Sequence, residues 1–341
     1  MTRVLALVAL VLITIVGCGS TAPTATPAAA PATSGAAGAF PVTLPHKYGS
    51  TTITAAPKRV VTVGLLEQDS LLALGIVPVG TTEWFGNYPG AIGEWAKGKL
   101  GGAALPTVLK DTGSGPQFEK IAALKPDLIL GLYSGLTKEQ YETLSKIAPT
   151  VAQPKEYIDY GIPWQEVTKK VGAAVGKPAD ADQLVKDVEA RFTKVQQEHP
   201  EFKEATGLMA TLYEGYFIFG SQDPRNRLLG SLGFKLPDDL DKAIGDKFGA
   251  NISRERLDLV DTGVIVWSVT DTAKGEATLH GDSVYKGLDV VKEGREVYLP
   301  ENTPPSDAVA FLTVLSVPYV LDTLVPRLAA AVDGDPGTKT S

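Results

Sequence analysis

Cysteine and histidine are nearly absent from this chain. Of its 341 residues, one is a cysteine, Cys18, and three are histidines. Because no cysteine follows Cys18, the rest of the chain forms no internal disulfide, and its stability must come from core packing. His46, His199 and His280 lie in unrelated segments and lack the spacing of metal ligands. This scarcity argues against a histidine-rich zinc or manganese site.

Recognisable catalytic patterns are missing as well. No G-x-S-x-G nucleophile motif occurs, and the glycine-rich segment 113–116 lacks the Lys-Ser/Thr pair that completes a phosphate-binding loop. Carboxylates are plentiful, but no spacing selects an acid/base pair. The formal net charge is −7 and basic runs are absent, which argues against nucleic acid as a partner. Nothing in the sequence argues for catalysis, so we expect a protein that is not an enzyme.

The amino terminus has the pattern of an export signal. In residues 1–17, Arg3 precedes about a dozen apolar residues, fewer than the roughly 20 that a transmembrane helix needs. The residues before Cys18 resemble a bacterial lipobox, which implies cleavage before Cys18 and attachment of lipid, including palmitate, to the mature protein. Residues 18–40 are mostly Ala, Thr, Pro, Ser and Gly, a composition that stays disordered. We therefore predict a lipidated tether that holds the protein outside the cell membrane.

Strand and helix patterns alternate from Arg59 onward. Residues 60–62 form a β-branched run typical of a buried strand, and helical spacing follows it. This rhythm predicts an α/β fold with two Rossmann-like lobes, each with a mainly parallel sheet. The predicted divisions are an amino-terminal lobe at 41–162, a long linking helix at 163–178, a carboxyl-terminal lobe at 179–332 and a polar tail at 333–341.

One segment recurs within the chain. Residues 119–130 match residues 255–266 without a gap, 136 positions later. In each copy an acidic residue begins a short helical pattern, a turn follows, and three aliphatic residues then form a strand. A short amphipathic pattern can recur by chance, but each copy has a similar place in its own strand–helix series. The repeat predicts two similar lobes that face each other across a ligand cleft, where strand ends and loops converge.

Aromatic residues follow the carboxyl ends of four predicted strands. Those ends share one rim of an α/β sheet, so an aromatic-walled cleft is predicted, although any single ring is more often part of a core. Arg225 and Arg227 follow one of these groups and would clamp an anionic ligand, or else form a solvated helix start. The predicted ligand-binding residues are Trp84, Phe85, Tyr88, Tyr133, Tyr213, Tyr216, Arg225, Arg227 and Trp267.

Five segments resemble the ferric-siderophore and vitamin B12 substrate-binding proteins of ABC importers. They are residues 56–62, 68–80, 123–129, 226–234 and 252–255. The resemblance implies a class III periplasmic-binding-protein fold, with two α/β lobes joined by a long, stiff helix. It also implies a monomer that carries a ferric chelate to a membrane permease and its ATPase. No resident cofactor or metal site is expected, since ferric iron would be bound only within the chelate.

The iron-siderophore branch of this family is the nearest match. Cationic residues are sparse at the predicted rim, which favours a hydroxamate or mixed chelate of low charge over a catecholate. Haem or cobalamin binding is an alternative, and so is a tethered sensor or interaction protein that keeps the fold without a transport role.

Two glutamates match the family's contacts with the permease. One surface glutamate on each lobe engages permease arginines in this family, and Glu119 and Glu255 correspond to those positions. The internal repeat independently makes the two residues equivalent. Their alternative role is that of helix N-terminal acids stabilised by the helix dipole.

The lipobox resemblance leads to the first prediction. Replacing Cys18→Ser removes the sulfur that a thioether-linked lipid requires, so the variant should leave the membrane fraction or accumulate as unprocessed precursor. Cell fractionation and electrophoretic mobility measure both outcomes. A variant that fractionates and migrates like the unmodified sequence would show that Cys18 is not lipidated.

Overall fold

Two five-stranded sheets organise the part of the chain that can be described. The computed structural model describes residues 40–84, 87–110, 115–245, 247–338 and 340. The predicted signal at 1–17, Cys18 and almost all of the tether lie outside these residues, as does Phe85. A short antiparallel hairpin of β1 (Val42–His46) and β2 (Gly49–Ile53) precedes the first sheet.

The first sheet forms the amino-terminal lobe and is wholly parallel. Its order is β5-β4-β3-β6-β7. Its strands are short, and the central ones are buried on both faces and rich in aliphatic residues, as parallel strands covered by helices are. Their bounds are β3 (Val60–Thr62), β4 (Gly80–Thr82), β5 (Thr107–Leu109), β6 (Leu128–Gly131) and β7 (Thr150–Ala152).

The second sheet forms the carboxyl-terminal lobe, with the order β10-β9-β8-β11-β12. Strands β8, β11 and β12 are parallel, whereas β9 runs antiparallel to both of its neighbours. The reversal follows from a tight turn after β8, in which Glu214 and Gly215 both have positive φ. The bounds are β8 (Gly207–Leu212), β9 (Tyr216–Phe219), β10 (Gly249–Ile252), β11 (Val264–Val269) and β12 (Glu296–Pro300).

The internal repeat has a direct structural counterpart. β6 begins at Leu128 and β11 begins at Val264, which are 136 positions apart, and each occupies the same place in its sheet. A short helical segment precedes each of them: α2 (Phe118–Ala123) before β6 and a 3-10 turn (Arg254–Val260) before β11. The predicted α/β fold with two similar, mainly parallel sheets is therefore confirmed.

Helices cover both faces of the sheets. Helix α3 (Lys138–Ser145) begins with a capping box. The Thr137 hydroxyl accepts the backbone N–H of Gln140, and the Gln140 side chain accepts the backbone N–H of Thr137. The remaining helices are α1 (Glu67–Ala73), α3 (Lys138–Ser145), α4 (Trp164–Ala174), α5 (Pro178–Glu198), α6 (Pro224–Leu232), α7 (Leu240–Ile244), α8 (Thr272–Gly281), α9 (Asp289–Lys292), α10 (Pro304–Ala310) and α11 (Ser316–Val332). Across the described ranges, no helix has the length and apolar content needed to cross a membrane.

The helix that links the two cores differs from the one expected at 163–178. The chain forms α4 there, then turns at Gly176, whose φ is +75°, and restarts at Pro178 as the 21-residue α5. α4 packs on α1 of the amino-terminal lobe. α5 places Ala181 in the amino-terminal core and Phe192 in the carboxyl-terminal core. The link is thus α5, because proline suits the first turn of a new helix and cannot continue an old one.

A buried carboxylate joins the lobes. Asp69 of α1 accepts hydrogen bonds from the Trp95 indole at 2.7 Å and from the Thr313 hydroxyl at 2.5 Å. Thr313 lies between α10 and α11, which follow the second sheet. Nearby, the Tyr88 hydroxyl donates to Asp307 at 2.8 Å. Both sheets consequently belong to one compact unit.

This junction should depend on pH. Burial raises the pKa of Asp69 from 3.8 to about 6. The protonated form is therefore favoured in the folded state. The stability that this preference adds to the folded protein is fully present below pH 4 and is lost as pH rises through 6. Asp69→Asn should remove this loss, so between pH 4 and 7 the unfolding free energy of the native chain should fall by roughly 2 kcal/mol relative to the variant.

Denaturant unfolding at several pH values measures the difference. The exposed Asp182 of α5 provides a matched control, and Asp182→Asn should leave the pH profile parallel to that of the native chain. Parallel profiles for Asp69→Asn as well would contradict this account of the junction.

Candidate ligand cleft

The carboxyl ends of both sheets border concave surfaces. In the amino-terminal lobe, residues that follow four strands line a cavity of about 280 Å³ together with Lys110, Gln140 and Tyr160. In the carboxyl-terminal lobe, Thr211, Ser268 and Glu301 lie within one residue of the carboxyl ends of their strands. They line a cavity of about 360 Å³ with Phe219, Arg225 and Asp307. We call the space bordered by these two surfaces the interlobe cleft. This location is the usual one for ligands in open α/β sheets.

Tyr133 lies in the amino-terminal lobe, at the carboxyl end of its sheet. It follows β6 and is mostly buried, with its ring edge-on to Tyr160 at a centroid distance of 5.6 Å. Burial raises the pKa of Tyr133, and Asp223, Arg225 and Arg227 of the other lobe lie within electrostatic range. Tyr133 thus lies close to the start of α6.

The loop that carries Tyr133 is held by a buried acid. The Glu67 carboxylate accepts the backbone N–H of Tyr133 at 2.9 Å and that of Leu66 at 3.1 Å. Burial raises the pKa of Glu67. The carboxylate lies over Gly64, where a Cβ would stand 2.2 Å from its Oε1. Gly64 is therefore needed for this close approach.

Arg225 is largely neutralised within its own lobe. It forms an ion pair with the buried carboxylate of Asp223 at 3.0 Å. Its guanidinium also lies 4.1 Å above the ring of Phe219, which is a favourable cation–π position. Arg225 therefore presents a stacked, paired cation at the wall of the cleft.

Arg227 is a different kind of cation. Its guanidinium is partly buried and donates to the carbonyl of Gly161 at 2.5 Å. Among the described residues, no carboxylate lies within the 4.0 Å that defines an ion pair with it. Burial lowers the pKa of Arg227, and electrostatic interactions with Tyr157, Tyr133 and Asp223 offset part of that shift. A desolvated cation with unused donors is suited to an anionic ligand.

Trp84 and Tyr88 lie together but mostly inside the protein. Trp84 is 8% exposed, and its indole donates to the carbonyl of Ala91 at 2.8 Å. Its ring packs against Tyr88 at 5.0 Å and against Phe311 at 5.2 Å. Tyr88 is half-buried, and its hydroxyl donates a hydrogen bond to Asp307, which lines the cleft. The pair is therefore part of the junction between the lobes, and Tyr88 connects that junction to the cleft.

Two predicted aromatic residues point away from the cleft, which corrects the expectation from the sequence. Trp267 is fully buried and donates to the Tyr285 hydroxyl at 2.7 Å in the outer core of the carboxyl-terminal lobe. Tyr216 lies in the same layer, where its hydroxyl donates to Asp282 at 3.0 Å. Side chains alternate across a strand, so their neighbours Ser268 and Phe217 take the opposite face instead.

The cleft face of β9 carries rings that the sequence analysis missed. Phe219 lines the cavity, and Phe217 packs beside it at 5.5 Å. The exposed Tyr213 meets Phe217 edge-on at 6.4 Å, so this predicted residue lies at the outer end of the same row. Alternation along residues 216–219 was the signal that would have separated Phe217 and Phe219 from Tyr216.

The two glutamates of the repeat are both on the surface. Glu119 and Glu255 are exposed, while Ile121 and Leu257 in the same segments are buried. The hydroxyl of Ser253 lowers the pKa of Glu255. The two acids thus lie at equivalent places on the two lobes, each outside the cleft-lining sets.

Comparison with known proteins identifies the family. The family model described as periplasmic binding protein matches residues 60–303. The chain belongs to the periplasmic binding protein family. Members of this family are solute carriers, so this protein is not an enzyme.

Relatives agree with this assignment. The Fe(3+)-citrate-binding protein YfmC of Bacillus subtilis is 26% identical over 253 residues, which cover 72% of this chain and 74% of that protein. A periplasmic solute binding protein from Mycobacterium smegmatis is 34% identical, with a TM-score of 0.74, and the likeness covers 85% of this chain and 98% of that one. Streptococcus pneumoniae PiaA, solved in complex with ferrichrome, is 30% identical with a TM-score of 0.74 over 86% of this chain and 99% of its own.

One of the segments that resemble the family has a structural role in this protein. Asp127, in the segment 123–129, accepts the backbone N–H groups of Lys58 and Arg59 at 2.8 Å each. The Arg59 guanidinium donates a hydrogen bond to the carbonyl of Leu124 at 2.6 Å. In this periplasmic binding protein the motif therefore clamps the start of the first sheet and does not contact the cleft.

Proposed function

We propose that this protein is a membrane-anchored, extracytoplasmic binding protein that captures a ferric siderophore in the interlobe cleft and delivers it to the permease of an ABC importer. The anchor would be the lipid on Cys18, and the cargo iron would be bound only as its chelate. The family assignment and the iron-chelate names of the relatives support the class of ligand. The residues of the cleft support the manner of binding.

The observation that carries this proposal is the position of the partly buried Arg227, within electrostatic range of tyrosines of the opposite lobe. A partly buried guanidinium without a carboxylate partner can donate to the oxygens of an anionic chelate. The hydroxyls of Tyr133 and Tyr157 are within its electrostatic range. A chelate placed here would therefore contact both lobes at once.

The balance of charge favours a chelate of low negative charge. Asp223 already neutralises Arg225, and Glu301 and Asp307 add carboxylates to the same wall. Burial raises the pKa of Asp307, and the hydrogen bond from Tyr88 opposes that shift. A triply charged ferric catecholate would meet too few free cations at this wall, whereas a hydroxamate or mixed chelate of low charge needs fewer of them. Phe219 and Phe217 offer apolar surface for the chelator backbone.

A binding titration tests this cleft. Arg227→Met should weaken binding of the best ferric chelate by about tenfold to a hundredfold, since a buried charge-assisted hydrogen bond is lost. Tryptophan fluorescence quenching by ferrichrome, ferric citrate, a ferric catecholate, haem and cobalamin measures the affinities. The partly exposed Arg256 forms an ion pair with Asp258 and is absent from the residues that line the described cavities, so Arg256→Met is the matched control and should bind normally.

Two outcomes would contradict the assignment. Equal chelate affinity in Arg227→Met and Arg256→Met would remove Arg227 from the site. Binding of haem or cobalamin, with no ferric chelate bound, would replace the siderophore as the ligand.

Delivery to a permease predicts a second set of effects. We propose that Glu119 and Glu255 dock the two lobes onto arginines of the permease, because two separated surface charges would fix orientation and speed encounter. Reversing both, with Glu119→Arg and Glu255→Arg, should abolish uptake of the chelate while its affinity for the purified protein stays unchanged. Glu189 and Glu204, exposed elsewhere on the carboxyl-terminal lobe, provide a doubly reversed control. Normal uptake by the Glu119/Glu255 variant would exclude docking through these residues.

A further inference from the structure

A second cavity lies at the seam between the lobes, outside the surfaces that define the cleft. Its volume is about 470 Å³, within the range of small-molecule sites. It lies where the start of α4, the middle of α5 and one side of α6 come together. Its lining includes Trp164, Phe192, Arg227, Leu228, Gly230 and Ser231.

The depth of this seam cavity is apolar. Trp164, Phe192 and Leu228 are each at least nine-tenths buried, and Leu66 and Leu312 are buried as well. These side chains come from both lobes and from the connection between them. The polar side chain of Asn226 is already committed, since it accepts from the N–H of Met209 and donates to the carbonyl of Phe219. The buried surface therefore suits a hydrocarbon body.

The wall nearest the cleft carries a charge. Arg227 lines the seam cavity, and its one described hydrogen bond goes to the carbonyl of Gly161. Its guanidinium has five N–H donors, and the described residues place no carboxylate within ion-pair distance. Burial lowers its pKa, so an anion in contact would offset part of the cost of desolvation. Charge and apolar surface thus meet in one cavity.

We infer that the seam cavity is a second ligand site, which takes a small amphipathic carboxylate with its hydrocarbon body between the lobes and its head on Arg227. This site is separate from the chelate function and shares only Arg227 with it. A ligand held there would contact α4, α5 and α6 together, and would therefore brace the two lobes against each other.

Gly230 offers a way to close the cavity without disturbing the cleft. A Cβ at Gly230 would meet no heavy atom within 4 Å, so a side chain can begin there without a clash. Gly230→Ala is the control for the backbone, because alanine favours the helix and leaves the cavity open. Gly230→Trp and, one residue on, Ser231→Trp place bulk at the cavity mouth from two directions.

A brominated decanoate is the probe, because bromine quenches tryptophan fluorescence on contact. We expect it to quench the purified chain at submillimolar concentration, and Trp164→Phe to abolish that quenching while Trp84, Trp95 and Trp267 remain. At least one of the two tryptophan plugs should weaken binding by about tenfold or more, and Gly230→Ala by less than about twofold. Arg227→Met should weaken the carboxylate but not the matching brominated alcohol.

The inference is overturned if the carboxylate fails to bind, if quenching persists in Trp164→Phe, or if both plugs bind like Gly230→Ala. Affinity for the ferric chelate, measured in parallel, separates the two sites. The plugs should leave it unchanged, so a failure of the seam site would not affect the proposed chelate function. Loss of chelate binding in a plug that keeps native circular dichroism would show that the two sites are one, and would overturn the second site.

Discussion

The buried carboxylate of Asp69 is the contact on which the arrangement of the cleft depends. It lies in the first helix of the amino-terminal lobe, yet one of its two donors, Thr313, belongs to the segment that follows the second sheet. Phe311, two residues earlier in that segment, packs against Trp84 in the amino-terminal core. An ionised acid is expensive to bury, and its hydrogen bonds must be made for the folded state to tolerate it. The lobes are therefore held at a fixed relation, and the cleft exists before a ligand arrives.

The long helix α5 also holds the two lobes in a fixed relation, through apolar packing. Its buried residues run from Ala181 in one core to Phe192 in the other, so a change of angle between the lobes would disturb both. At Gly172 a Cβ would stand 2.3 Å from the Cβ of Ala181, which shows how closely α4 and α5 approach. A binding protein built this way recognises its ligand with a preformed surface and loses little conformational entropy on binding.

The two arginines of α6 show how similar side chains acquire different functions. Arg225 has a carboxylate and an aromatic ring as partners within its own lobe, so its charge is largely satisfied. Arg227, a little more than half a helical turn away, reaches the other lobe and has a carbonyl as its partner. It lines the seam cavity and also lies within electrostatic range of Tyr133. Its position explains why one side chain bears on the chelate proposal and on the second site.

The sequence by itself determined the two-lobe α/β fold and the equivalence of the two halves, because strand and helix periodicity and the repeat at 136 positions are local patterns. It also led to the prediction that Tyr133, Arg225 and Arg227 belong to one cleft, since residues after parallel strands share a rim. Only the tertiary structure decided which face each ring takes. Trp267 and Tyr216 turned to the outer core because a strand alternates its side chains, and a shift of one residue reverses the face. The place of Trp84 in the lobe junction and the role of α5 as the link were also decided by the tertiary structure. Both depend on contacts between residues far apart in the chain, which local patterns do not show.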